Sequence, residues 1–235
     1  VIFVKQYGER RTCTNLAKYF VEQNTVGVEV LASVLGWKHG FHSGKIDWSG
    51  ETWGEEYGRP LKDQVKNLLE IKEAYTAGEL RYLVCVKDPY SWCLSFARYQ
   101  RKINPVGYVR PAYLKNIIGV WNKKYLNWEK LLNSVELSFL FRYEDFLREP
   151  RSVRERLLKS LCLPGSQKSS LSFPQKFSRG GQRLNKKNAF SSTAFDRDYY
   201  LNRRYMKFYN SDHKGIFRKC LDIALAKRLG YTLCE

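Results

Sequence analysis

Three times along this chain a short apolar or β-branched run passes through a turn into a stretch with helical spacing: residues 2–4 into 16–23, 81–86 into 90–100, and 137–141 into 153–161. A fourth run at 27–31 and helical stretches at 61–76, 114–132 and 215–227 continue the alternation. Strands that alternate with helices are joined by right-handed crossovers, which makes the strands parallel and puts helices on both faces. The sequence therefore predicts an α/β fold, a central parallel sheet flanked by helices, with P-loop-like turns at the carboxyl ends of the strands, where such sheets bind ligands. With 235 residues and 43% hydrophobic content, the chain can bury a full core as one domain, residues 1–235.

The first strand-to-helix turn, Gly8-Glu9-Arg10-Arg11-Thr12-Cys13-Thr14-Asn15, is almost a nucleotide phosphate loop. In a Walker loop a glycine is followed five positions later by Gly-Lys-Ser/Thr. Here Cys13-Thr14-Asn15 occupies that place, with no lysine for the β- and γ-phosphates and asparagine where the Mg²⁺-binding hydroxyl belongs. The turn still aims free N–H groups and the positive end of a helix dipole at an anion, and Arg10 and Arg11 add fixed charge. It predicts phosphate binding without Mg²⁺; a basic turn with no ligand is the alternative.

The 41 Lys+Arg against 23 Asp+Glu give a net charge of +18, which suits a polyanionic partner: nucleic acid, an anionic membrane, an acidic glycan or a phosphorylated cofactor. The basic residues are dispersed through patterned segments, densest at 179–187, which favours a folded basic cleft over a charged tail. Cys13, Cys85, Cys93, Cys162, Cys220 and Cys234 form no C-x-x-C pair, and with three histidines they offer no zinc spacing, so no metal is expected. No apolar run approaches membrane-spanning length and no Asn-x-Ser/Thr acceptor occurs. A cytoplasmic setting is favoured; if an N-terminal anchor has been removed, the Golgi lumen takes its place.

Three more blocks carry chemistry. At 82–96 a strand end delivers Lys87, Pro89 fits the first turn of the next helix, and Ser95 falls about two turns in, so that a cation and a hydroxyl can share one phosphate. At 139–150 a strand ends in Tyr143-Glu144-Asp145, whose carboxylates read as helix-start charge. At 177–190 stand Arg179, Gly180 and Gly181, then Lys187, Asn188 and Phe190.

Together these blocks resemble the sulfotransferases that use 3′-phosphoadenosine 5′-phosphosulfate (PAPS). The family's Pro-Lys-Ser-Gly-Thr-Thr loop is similar to Arg10-Arg11-Thr12-Cys13-Thr14-Asn15. Its 3′-phosphate motif, an Arg with a Pro shortly after and a Ser eight residues on, is similar to Lys87, Pro89 and Ser95; its Tyr near the adenine corresponds to Tyr143; its late Arg-Lys-Gly corresponds to Arg179 and Gly181. The blocks run in family order over most of the chain. Among the departures from the pattern are Arg11 for Lys, Cys13 for Gly, Gly180 for the Lys of Arg-Lys-Gly, and Lys87 for Arg, which gives up a bidentate fork.

The resemblance implies PAPS as donor, no metal, and in-line transfer of a sulfuryl group to an acceptor hydroxyl or amine of a glycan or small molecule, with no nucleic-acid partner. Arg11, Thr12 and Thr14 would stabilise the leaving phosphate, with Arg10 assisting. An acceptor hydroxyl needs a base; His39 is the first candidate, with His42, Glu51, Glu55 and Glu56 as alternatives. The Trp- and Gly-rich stretch at 39–59 reads as a substrate-facing loop, and 163–192 as a long basic loop. The rival expectations are a Mg-ATP phosphotransferase and a non-catalytic basic protein binding nucleic acid or glycan.

Overall fold

The structure is a computed structural model and describes residues 1–44, 46, 48–50, 53, 55–56, 59–60, 65–166, 171, 178–179, 182–183 and 197–232; at 55–56, 59–60, 178–179 and 182–183 it describes the backbone alone. In chain order the elements are β1 (Ile2–Gly8), α1 (Thr14–Asn24), β2 (Val28–Leu31), β3 (Glu55–Glu56), β4 (Arg59–Pro60), α2 (Leu68–Thr76), β5 (Arg81–Val86), α3 (Pro89–Tyr99), α4 (Pro111–Ser134) and β6 (Ser138–Arg142). Then follow α5 (Tyr143–Arg148), α6 (Pro150–Ser160), β7 (Ser178–Arg179), β8 (Gln182–Arg183), α7 (Arg197–Leu201), a 3₁₀ turn (Arg204–Phe208), α8 (Ser211–Cys220) and α9 (Ile223–Arg228).

Four strands form one parallel sheet in the order β2-β1-β5-β6, so the first strand of the chain lies between two later ones. The two central strands, β1 and β5, are buried on both sides, and their side chains alternate between two cores. Tyr82, Val84 and Val86 of β5 face a core built with α3, α4, α8 and α9, centred on Trp92, Trp121, Tyr125 and Trp128. Leu83 and Cys85 face the other core, which holds Leu16 and Phe20 of α1, Phe146 of α5 and Leu157 of α6. The spacing of Trp121, Tyr125 and Trp128 keeps one stripe of α4 against the sheet, and each such buried ring contributes about 2–3 kcal/mol.

The sheet confirms the predicted α/β class, while several predicted bounds move. β1 runs on to Gly8 because its polar residues find partners inside: Gln6 donates to the Thr14 carbonyl at 2.9 Å. Lys5 is 1% exposed and donates to the carbonyls of Ala32, Val34 and Gly36 at 3.3, 2.8 and 2.5 Å. All three ammonium protons are thereby engaged. The helix expected at 61–76 begins at Leu68, with 61–64 outside the described residues. The one expected at 215–227 starts at Ser211 with an Asn210 capping box and breaks at Leu221, where Asp222 caps α9 by accepting from Leu225 N–H. The elements expected at 16–23, 27–31, 90–100, 114–132, 137–141 and 153–161 shift at their ends to the ranges of α1, β2, α3, α4, β6 and α6.

Candidate functional site

The carboxyl ends of β1, β5 and β6 meet at one edge of the sheet, and the first three sequence blocks gather there. In the turn from β1 to α1, Arg11 and Cys13 both adopt left-handed backbone (φ 71° and 63°) while Thr12 and Thr14 do not. Residues that alternate in hand curl a run of N–H groups into a concave, anion-binding shape. The cap residue of α1, Cys13, makes no side-chain hydrogen bond to the helix, and the helix's first turn holds no acidic residue. The N–H groups of that turn are left for an incoming acceptor.

The rest of the turn is firmly held. Thr12 is fully buried, and its hydroxyl donates to the Glu9 carbonyl at 2.6 Å. Trp92 Nε1–H donates to the Arg10 carbonyl at 2.8 Å, and the Arg10 guanidinium lies 5.1 Å from the Trp37 ring centre. At Gly8 (φ 153°) an added Cβ would sit 2.8 Å from Thr14 Cγ2 and 2.9 Å from Cys85 Cβ, so only glycine lets β1 pass this close to α1 and β5. The Cys13 side chain packs against the core beneath the turn, and burial keeps its thiol protonated well above the usual thiol range. A side chain thus fits where the resembled family has glycine.

Arg11 reaches across to α3, where its Nε donates to Ser95 Oγ at 3.3 Å. Around this bridge lies a pocket of about 570 Å³ lined by Arg11, Ser91, Leu94, Ser95, Arg98, Tyr99, Arg101, Tyr199 and Tyr200. That volume suits a nucleotide-sized ligand. Ser91 Oγ is buried in its wall with no partner among the described residues, an orphaned hydroxyl that a polar ligand would satisfy. Neither Lys87 nor Tyr143 belongs to the lining. Tyr143 is 4% exposed and packs edge-on beneath Tyr200, with ring centres 5.0 Å apart.

Lys87 lies behind the same wall, 4% exposed, its ammonium 4.2 Å from the Tyr200 ring centre and 5.0 Å from that of Tyr143. Burial drives its pKa down to about 8 despite the attraction of Glu144. Glu144 is pushed up to about 7, again by burial first and the nearby Asp88 second. It accepts from Asp88 N–H and from Tyr231 Oη–H, both at 3.0 Å. Asp88 in turn caps α3 by accepting from Ser91 N–H at 2.9 Å and pairs with Arg203 at 3.3 Å. Asp145 is ordinary helix-start charge, surrounded by Arg142, Arg148 and Arg156.

The segment after β2 is clamped against the turn between β1 and α1. Gly8 N–H donates to the Lys38 carbonyl at 3.0 Å, and His39 Nδ1–H donates back to the Gly8 carbonyl at 2.5 Å. From α4, Lys124 binds both Glu9 and the His39 carbonyl, Trp128 Nε1–H donates to the Gly40 carbonyl, and Asn127 brackets the backbone of His42. Burial lowers the His39 pKa to about 3, outweighing the Gly8 contact, so the ring is neutral and Nε2 carries its lone pair. His42 is half-buried against Tyr7, and burial lowers its pKa as well. Asn15 accepts from the Lys38 ammonium at 2.8 Å, which sets a cation at the N-terminus of α1.

Sequence reasoning missed Lys38, Arg98 and the Tyr199–Tyr200 wall. Lys38 is the neighbour of His39, and Arg98 stands one helical turn beyond Ser95, a spacing that could have flagged it. The backbone of Arg179 pairs with Gln182 in the β7–β8 hairpin, while its side chain and those of Glu55 and Glu56 are not described. Gly181, Lys187, Asn188, Phe190 and Glu51 lie outside the described residues, as do most of the basic loop at 163–192 and parts of the loop at 39–59. Among the described residues, no helix is long and apolar enough to cross a membrane.

No protein-family model matches the chain, and no curated protein matches it. Among solved structures, the sulfotransferase domain of the Synechococcus PCC 7002 olefin synthase aligns at 17% identity and a TM-score of 0.42. The alignment covers 75% of this chain and 58% of that one, so the chain spans less than two thirds of that domain's length.

Proposed function

We propose that the chain is a single-domain, metal-free sulfotransferase that moves a sulfuryl group from PAPS to an acceptor hydroxyl or amine. The observation that carries this reading is the Arg11–Ser95 bridge. It joins the two sequence blocks expected at opposite ends of the donor, the 5′-phosphosulfate turn and the 3′-phosphate helix, across a pocket of nucleotide size. The chain has no Walker lysine, and its net charge of +18 suits a ligand carrying several anionic groups.

The bound donor supplies the sulfuryl group, whose bond to the bridging phosphate oxygen breaks as a bond to the acceptor oxygen or nitrogen forms. The uncapped N–H groups of α1, with Arg11 and Thr14, meet the negative charge that grows on the departing phosphate, while Thr12, buried with both its hydroxyl and its N–H donating to the Glu9 carbonyl, holds the turn in shape. Arg10 and Lys38 add cations beside them. His39, fixed by Gly8 with Nε2 neutral, takes the acceptor's proton as it is released. A base whose own pKa is about 3 holds that proton only transiently and passes it on to solvent.

The acceptor is a glycan or a small molecule. The Trp37 and Phe41 rings, 41% and 56% exposed on either side of His39, give an acceptor ring surfaces to stack on. Titration calorimetry with 3′-phosphoadenosine 5′-phosphate, the donor product, is expected to give micromolar affinity without added metal. No binding of that nucleotide, or tight binding of Mg-ATP in its place, overturns the reading. His39→Ala is expected to suppress turnover while leaving product-nucleotide binding near normal; unchanged turnover moves the base to another residue.

A further inference from the structure

In the sequence, Lys87 stands where a cation for the nucleotide's second phosphate is expected, yet in the fold its ammonium is sealed behind the Tyr200 and Tyr143 rings. The cations that line the pocket are Arg11, Arg98 and Arg101. Arg98 is the best placed of them. It lies one turn beyond Ser95 on the same face of α3, and its guanidinium is tethered on two sides, donating to Tyr199 Oη at 3.5 Å and stacking on the Phe208 ring at 4.4 Å. Arg11 already donates to Ser95 Oγ, and Arg98 lines the same pocket.

Resting on the nucleotide reading above, we propose that Arg98, together with Arg11 and Ser95, is the specificity-determining group for the second phosphate, and that Lys87 is a positioning residue for the tyrosine wall. The chemistry favours this division. A guanidinium presents paired N–H donors that match two phosphate oxygens and keeps its charge at every relevant pH. For the lysine to bind a phosphate it would have to leave two rings and a buried carboxylate. Lost contact with Tyr200 would loosen the face that a nucleotide base or ribose packs on, whether or not a second phosphate is present.

The two roles separate in the ratio of affinities for 3′-phosphoadenosine 5′-phosphate and adenosine 5′-phosphate, which differ by that one phosphate. Wild-type protein is expected to prefer the bisphosphate. Arg98→Ala is expected to weaken the bisphosphate by about tenfold or more and leave the monophosphate within about twofold. Arg98→Lys should restore part of the preference. Lys87→Met should weaken both nucleotides alike and keep the ratio. The proposal is overturned if Arg98→Ala leaves the ratio intact, or if Lys87→Met collapses it. Arg98 is exposed, so its variants decide the question even if Lys87→Met does not fold. Wild-type protein that binds neither nucleotide refutes the parent reading, whereas wild-type protein that binds both equally refutes only the specificity claim.

Discussion

Two strand-to-helix turns stand side by side at the carboxyl edge of the sheet, β1 to α1 and β5 to α3, and they resolve the same problem in opposite ways. At α3, Asp88 caps the helix, Pro89 occupies its first turn, and Lys87 is folded inward against two rings and Glu144. At α1 the cap residue offers no side-chain acceptor, the backbone alternates in hand, and Arg10 and Arg11 point outward. One turn has satisfied its own donors and the other has left them for a ligand. A strand-turn-helix pattern with a cation therefore does not by itself leave donors for an anion; an unfilled cap does. The closed turn contributes through the outer face of its helix, where Ser95 and Arg98 stand.

The largest test of this contrast is Gly8→Ala. The open turn depends on close passage at Gly8, so a methyl group there should cost about 3–4 kcal/mol in urea unfolding and abolish nucleotide binding. A neutral outcome would mean that the turn is looser than its contacts suggest. Next comes Asp88→Ala, which uncaps α3 and leaves Arg203 without that carboxylate; a loss of about 2–3 kcal/mol is expected, with no gain in anion affinity. Tighter phosphate binding by this variant would show that the cap alone had kept the closed turn from being a site.

A third test reads the closed turn's buried charges through pH. Burial raises Glu144 from 4.5 to about 7, so in that window the folded protein keeps a proton that the unfolded chain has released. Wild-type stability should fall by roughly 2 kcal/mol as pH rises from 4.5 through 7 on account of this group, with Lys87, Asp88, Arg203 and Tyr231 as its neighbours. Glu144→Gln should flatten that limb; an unchanged profile would place the titration elsewhere. The smallest effect belongs to Cys13→Gly. Glycine relieves the left-handed backbone but gives up the packing of the side chain on the core, so stability should stay within about 1 kcal/mol and product-nucleotide affinity within about threefold.

The alternation of apolar runs and helical stretches was enough to read the parallel sheet, because burial on both faces leaves a continuous apolar signature in Arg81–Val86. The same rule cut β1 short. Lys5 and Gln6 look like loop residues until three carbonyls from the next segment and one from α1 are brought to them, and no local pattern announces such partners. The strand-to-helix turn at residues 8–15 was legible because its pattern is local: glycine, adjacent arginines and a helix start within eight residues. The burial of Lys87 was not legible, for the converse reason. Whether a cation at a strand end faces a ligand or the core is decided by Tyr200 and Glu144, which arrive from distant parts of the chain.

The position of β1 also bears on how the molecule is made. Val4 pairs with Val30 on one side and with Arg81 on the other, so a nascent chain can join β1 to β2 early but must carry β1's second edge open until β5 has left the ribosome. An unpaired strand edge is an aggregation hazard in a half-made protein. Lys5 puts a charge on β1 before the core closes over it, and a charge is the kind of residue that discourages an open strand edge from pairing wrongly.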